Sequence, residues 1–226
     1  MPVEVSVEAT GKRAFAGAID WPGWCRSGKD EEAALETLFG YGPRYERVLK
    51  GSGVRFTAPA RLSTLSVVER MEGDATTDFG APSIAPEADA TSIDRRWLTR
   101  IEEILRACWG SFDRAVAGVT GELRKGPRGG GREVDAIVGH VVGAEGGYLR
   151  MIAGKPPAFA EDDASAARDP VRAAVLEALE RAVVDGIPEK GPRGGARWSA
   201  RYFVRRDAWH VLDHAWEIED RSSAEA

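Results

Sequence analysis

The chain contains three histidines, His140, His210 and His214, and the last two stand in the run Trp209-His210-Val211-Leu212-Asp213-His214-Ala215-Trp216. The H-x-x-x-H spacing stacks two imidazoles on one face of an α-helix with Cβ atoms roughly 5–6 Å apart, close enough for both rings to hold one metal ion. Imidazole nitrogen is a ligand for zinc, nickel and iron. If the fold carries His140 to the same place, three nitrogens meet and coordination positions stay open for water or a substrate. Asp207, one turn before His210, and Glu217, one turn after His214, are placed either to orient the imidazoles or to pair with Arg205, Arg206 or Arg221. Asp213 and Glu145 are candidate general bases, with a charged-face role as the plain alternative for each. Trp209, Trp216 and Tyr148 either wall the site or pack the core.

Helices must position these groups. From Ser92, which reads as an N-cap, the apolar period is 3.6, and four helices are expected at about 93–119, 133–153, 171–185 and 200–221. Trp97, Ile101, Ile104, Leu105, Cys108, Trp109 and Phe112 form the apolar stripe of the first. An up-down bundle would set the second and fourth helices parallel, with His140 and the His210/His214 pair at similar depth. Gly139, Gly143, Gly146 and Gly147 lower the intrinsic stability of the second helix and are expected to remove side-chain bulk beside His140 and let a neighbouring helix approach. The hexapeptide Lys-Gly-Pro-Arg-Gly-Gly occurs at 125–130 and again at 190–195, before each histidine helix. Both copies are expected at one end of the bundle, where Arg128 and Arg193 would hold an anionic substrate or cofactor over the metal.

The first half has a different period. Val3-Glu4-Val5-Ser6-Val7-Glu8 alternates, Gly11-Lys12-Arg13 makes a turn, and Ala14 to Ile19 returns, so a hairpin is expected. A turn-rich segment, Asp20-Trp21-Pro22-Gly23-Trp24, leads to a helix opened by Lys29-Asp30-Glu31-Glu32, and a further β-like run spans Leu62 to Met71. The fold class is α+β: a small α/β domain over residues 1–80, a Pro/Ala/acidic linker at 81–91, a four-helix bundle at 92–221, and a disordered tail at 222–226.

Of the 226 residues 43% are hydrophobic and 30% charged, and no apolar run approaches the ~20 residues of a membrane span. A net charge of −5 and a pI near 5.4 argue against nucleic acid as a partner. The first twenty residues carry Glu4 and Glu8 and lack the basic head and apolar stretch of a secretory signal. Cys25 and Cys108 are isolated thiols, and Cys25 reads as an inert small residue in a turn, so a reducing cytoplasm is the expected compartment. A small-molecule substrate is expected, with no membrane partner, and association with a second copy is left open.

The lone histidine in Ile137-Val138-Gly139-His140-Val141-Val142-Gly143-Ala144-Glu145, with H-x-x-x-H two helices later, resembles the DinB/YfiT superfamily of four-helix bundles over roughly Ser92 to Arg221. The resemblance implies a divalent zinc or nickel ion on the histidines matching His140, His210 and His214. It also implies chemistry like that of its thiol-dependent S-transferases and mycothiol-dependent maleylpyruvate isomerase. The expected function is therefore a metal-dependent S-transferase joining a low-molecular-weight thiol, mycothiol or bacillithiol, to a small electrophile. A hydrolase using a metal-activated water and a non-catalytic, metal-stabilised binding module are the alternatives. The first half is similar to the HicB-like α/β fold through its hairpin, the Trp21-Pro22-Gly23-Trp24 turn and the helix from Asp30; no DNA-binding segment accompanies it.

Overall fold

The alternating run at the start of the chain folds as the expected hairpin. In the computed structural model, which describes residues 2–125, 133–158 and 164–222, β1 (Val3–Ala9) pairs antiparallel with β2 (Ala14–Ala18) in the register Val5 to Ala18 and Ala9 to Ala14. Strand β3 (Cys25–Gly28) joins the far edge of β2. Helix α1 (Glu31–Leu49) is capped by Asp30, whose carboxylate accepts the Ala33 N–H at 2.8 Å, while Glu31 and Glu32 meet the positive end of its dipole. The chain then returns as β4 (Leu65–Glu72), parallel to β1, giving the sheet order β3-β2-β1-β4. The strand expected from Leu62 begins at Leu65, because Leu62–Thr64 form a 3₁₀ turn. A short α2 (Ala75–Phe79) follows, closed by a reciprocal Asp74–Thr77 cap that the hydrophobic period did not announce.

Residues 81–91 are tied to both halves of the chain. The backbone N–H groups of Ser83 and Ile84 donate to the buried Glu8 carboxylate, the Tyr202 hydroxyl donates to the Ser83 carbonyl at 2.6 Å, and Asp89, 1% exposed, accepts from Arg205. The composition of this segment suggests a linker; its backbone polar groups and its one buried acid have partners on the elements either side.

The remainder is helical: α3 (Arg95–Ala117), α4 (Val134–Met151), α5 (Ala164–Asp185) and α6 (Ala200–Ser222). The chain is thus a mixed α+β protein, with one four-stranded sheet and six α-helices among the described residues. The N-cap of α3 is Asp94, which accepts the Trp97 N–H at 2.7 Å, where Ser92 was expected. Helix α5 starts well before the expected Val171 and runs through Pro170, because Ala164 and Ala167 bury against the bundle and hold the preceding turns in helical form. The expected tail at 222–226 lies, beyond Ser222, outside the described residues.

The direction of the helices differs from a simple up-down bundle. Trp198, just before α6, donates its N–H to the carbonyl of Met151, the last residue of α4, and Tyr148 packs on Trp198 at 5.3 Å between ring centroids. Helices α4 and α6 are therefore antiparallel. At the start of α3, Trp97 lies under Arg201 at the start of α6; beyond the end of α3, Arg124 bonds Arg221 near the end of α6, so these two run parallel. Arg95 at the start of α3 pairs with Glu180 late in α5. The order is up, down, down, up, with α6 between α3 and α4 and with α5 closing the ring. The physical reason is the connection from Met151 to Ala164. Twelve residues reach up to about 40 Å when extended, enough to return along the roughly 27 Å of α4 and start α5 beside its beginning.

One apolar core runs from Val5, Val7, Trp24, Leu38 and Tyr45 into the bundle. Gly23, at φ 93°, lets the turn after β2 lie directly on α6; a Cβ there would sit 2.8 Å from Cδ1 of Leu212. Arg205 donates to the Ala18 and Ile19 carbonyls at 3.0 and 3.1 Å. By helical period Arg205, Ala208 and Leu212 share one face of α6, and His210 and His214 share the opposite one. The sheet and its turn thus brace the helix that carries the histidine pair.

Candidate metal centre

His140 is the seventh residue of α4, and His210 and His214 lie in the middle turns of α6, so the three rings face one another across the antiparallel pair. Their centroids are 5.0 Å (140–210), 4.9 Å (140–214) and 4.7 Å (210–214) apart, and one ligand nitrogen of each lies within 4.8 Å of the others. Nε2 of His140 and Nε2 of His210 are 3.1 Å apart. Two nitrogens on one tetrahedral zinc at ~2.0–2.1 Å are separated by roughly 3.3 Å, so the pair already stands near coordination spacing. His210 and His214 are 7% and 8% exposed while His140 is exposed, which opens the cluster on the α4 side. A cleft of about 610 Å³ adjoins His140 there, floored by Gly139, Gly143 and Gly146 and bounded by Pro156 and Arg150.

Glu217 sets the His214 ring. Its Oε2 lies 2.8 Å from Nδ1 of His214, and its Oε1 accepts from Arg221 at 2.8 Å. A carboxylate on Nδ1 fixes the proton there and leaves Nε2 with the lone pair a metal needs. The hydrogen bond to His214, with Arg221 beside it, holds the Glu217 carboxyl down at about 2. All three rings can therefore present Nε2, and the donor set fits a divalent ion of the zinc or nickel type. Among the described residues no carboxylate or thiol joins the three-nitrogen group.

The next layer of the bundle is also polar. Asp207 on α6 and Glu145 on α4 are fully buried, and Trp109 on α3 donates its indole N–H to Glu145 at 2.7 Å. Among the described residues both Asp207 oxygens and Oε2 of Glu145 have no hydrogen-bond partner. Arg172 on α5 faces them from its ion pair with Asp113, at 2.7 Å, which Arg168 shares at 3.0 Å. Burial pushes the Glu145 carboxyl up to about 7 against the attraction of Arg172, and burial together with Glu145 raises Asp207 well above the usual carboxylate range. Asp207 thus neither accepts from a histidine directly nor pairs with Arg205 or Arg206.

Asp213 lies to the side of α6 and pairs with Arg26 of β3 at 2.8 Å; Arg26 in turn stacks over Tyr41 and Trp216. It is thereby engaged with the sheet. Tyr148 packs edge-on to His210 at 5.7 Å, Trp209 meets Phe15 of β2, and Trp216 is buried in the core. Cys25, expected in a turn, opens β3 instead; it is buried, and desolvation pushes its thiol up to about 12. The apolar stripe of α3 included Trp109, but nothing in the local sequence pattern announced its bond to Glu145 or singled out Arg26 and Arg172, whose partners Asp213 and Asp113 lie far along the chain.

Of the first glycine loop only Lys125 lies among the described residues, and it stands at the opposite end of α6 from the second loop. Lys125, which opens the first copy, follows Arg124, bonded to Arg221 at the C-terminal end; the second copy forms a turn before Ala200, closed by bonds from Gly194 to Gly191 and from Gly191 to Gly195. The 23-residue α6, roughly 35 Å long, separates Lys125 from that turn. Arg193 is exposed on that turn, and Arg128 lies outside the described residues. The described part of the expected rim, Lys125 and the 190–195 turn, is not brought together, because α4 and α6 run antiparallel where they were expected to be parallel. The glycines of α4 are corrected too. Among the described residues a Cβ at Gly143 or Gly147 would meet nothing within 4 Å and one at Gly146 would meet Pro156 at 3.5 Å; only at Gly139, 3.8 Å from the Ala164 methyl of α5, does a helix come into contact.

Comparison of the chain with protein-family models, with curated proteins and with solved structures finds no match in any of the three.

Proposed function

We propose that the protein is a metal-dependent enzyme in which His140, His210 and His214 hold a zinc or nickel ion, and that it transfers a low-molecular-weight thiol to a small electrophile. The convergence of three ring nitrogens within 4.8 Å beside an open cleft carries this reading. A divalent ion there would supply the positive charge that favours the anionic form of a thiol or of water near neutral pH. The protein's own residues do the rest. Glu217 keeps His214 in the Nδ1–H tautomer, the His140 side of the cluster admits ligands, and the glycine floor of the cleft gives a substrate room beside the reacting position. The resemblance of the histidine pattern to the DinB/YfiT superfamily favours mycothiol or bacillithiol as the nucleophile over water.

The test is elemental analysis of untagged protein, wild type against His210→Ala, followed by turnover assays with each thiol and an electrophile beside ester and amide hydrolysis. One first-row metal per chain in the wild type, its loss in the variant and metal-dependent thiol conjugation are expected. Protein that stays metal-free after reconstitution removes the reading, and turnover of esters or amides without thiol replaces the transferase by a hydrolase.

A further inference from the structure

A second cavity, of about 810 Å³, lies where the first half of the chain meets the opening turns of α3. Its walls are the Gly51-Ser52-Gly53 loop with Arg55 on one side and Arg96, Thr99 and Arg100 of α3 on the other, with Trp21 between. None of the histidine-centre residues lines it.

Three guanidinium groups converge here against one carboxylate, Glu103. Arg96 and Arg100 are four apart on one helical face, an arrangement in which like charges destabilise the helix. Many arginines elsewhere have protein partners: Arg95 pairs with Glu180, Arg70 with Glu31 and Arg44 with Glu219 and Asp220, while Arg150 and Arg201 donate to backbone carbonyls. Arg55 and Arg96 have no protein acceptor or ion-pair partner among the described residues. Arg100 is held in place: it donates to the Asp20 carbonyl at 2.8 Å and lies over the Trp21 ring at 4.6 Å. Those two contacts fix its orientation and leave further N–H donors of its fork for a ligand.

We propose that this cavity binds a compact small-molecule polyanion, a phosphate ester or a di- or tricarboxylate, held by Arg55, Arg96 and Arg100. Planar guanidinium forks match carboxylate and phosphate oxygens in pairs, and a ligand with two or more negative charges offsets the uncompensated cations. Trp21 is covered by Arg100 on its face and meets Phe56 at 4.7 Å, so the ring serves to fix an arginine and the anionic groups are the part recognised. The hollow is broad and open to solvent, wide enough for a ligand larger than bare phosphate. Because one wall belongs to the first half and the other to α3, the ligand joins the two halves.

The experiment is titration calorimetry and thermal unfolding of the full chain with inorganic pyrophosphate and, separately, with citrate, each against sodium chloride at equal ionic strength. The comparison protein is Arg55→Gln/Arg96→Gln. Both side chains are exposed, so the variant keeps the wild-type metal content and its unliganded unfolding midpoint does not fall. Saturable binding by wild type, with affinity at least tenfold lower in the double variant, is expected; pyrophosphate alone indicates a phosphate ligand and citrate alone a carboxylate. An effect matched by chloride, or equal affinity in the variant, overturns the proposal.

Discussion

Nδ1 of His214 lies 2.8 Å from Oε2 of Glu217, and the same carboxylate takes Arg221 with its other oxygen at 2.8 Å. The second contact matters as much as the first, since it stops the carboxylate from rotating away from the ring. Glu217→Gln removes the charge that makes His214 a stronger ligand and frees the ring to flip. Metal affinity should fall roughly 10–100-fold, with folding intact. Competition with a chelator of known affinity measures it; an unchanged constant means that Glu217 serves only its ion pair with Arg221.

Glu145 predicts a pH dependence opposite to that of an ordinary ion-paired acid. Its carboxyl rises from 4.5 to about 7 because burial disfavours the charged form. Below the unfolded value both states are protonated and no penalty exists. As pH rises from there towards 7 the unfolded chain ionises while the folded one does not, so stability falls across that window and levels off above it. The full effect is on the order of 3 kcal/mol, and Asp207 acts in the same sense. Glu145→Gln mimics the protonated acid and keeps an acceptor for Trp109. Urea unfolding of both proteins from pH 4.5 to 8 should show equal stability at the acid end and a more stable variant at the alkaline end. Parallel curves contradict it.

Asp213 separates sheet bracing from chemistry. Its bond to Arg26 is one of several contacts that fasten β3 to α6, and at 37% side-chain exposure it is partly screened. Asp213→Asn should therefore lower stability by about 0.5–1 kcal/mol and leave metal content and turnover close to wild type. A loss of turnover of a hundredfold or more at full metal loading restores Asp213 as a base.

The histidine site was legible in the sequence because it tolerates an error in helix direction. His140 and the His210/His214 pair all lie in the middle turns of their helices, so the rings meet whether α4 and α6 run parallel or antiparallel. Lys125 and the 190–195 turn sit near helix ends, where reversing the direction moves one relative to the other along the whole bundle. Hydrophobic period gives where a helix lies and which face is apolar, and it gives nothing about its direction. That was decided by the connection between Met151 and Ala164. The hairpin, the helix capped by Asp30 and the return strand were readable from local pattern and capping. Arg26, Trp109 and Arg172 were not, since each takes its role from residues at least 36 positions away.

Gly143 offers a test that keeps packing apart from ligand space. It lies mid-helix in α4, on the floor of the cleft beside His140, and an added Cβ would meet no atom within 4 Å. Gly143→Ala should stabilise the protein by about 0.5–1 kcal/mol, because alanine loses less backbone freedom on entering a helix. Gly143→Leu places a larger side chain in the same open space, so it should fold at wild-type stability or better and bind metal normally. If substrate lies along this floor, the leucine variant raises KM at least tenfold, while the alanine variant changes it little. Denaturant titration and steady-state kinetics on both proteins read the two effects independently. Equal KM in wild type and Gly143→Leu would place the substrate elsewhere around His140.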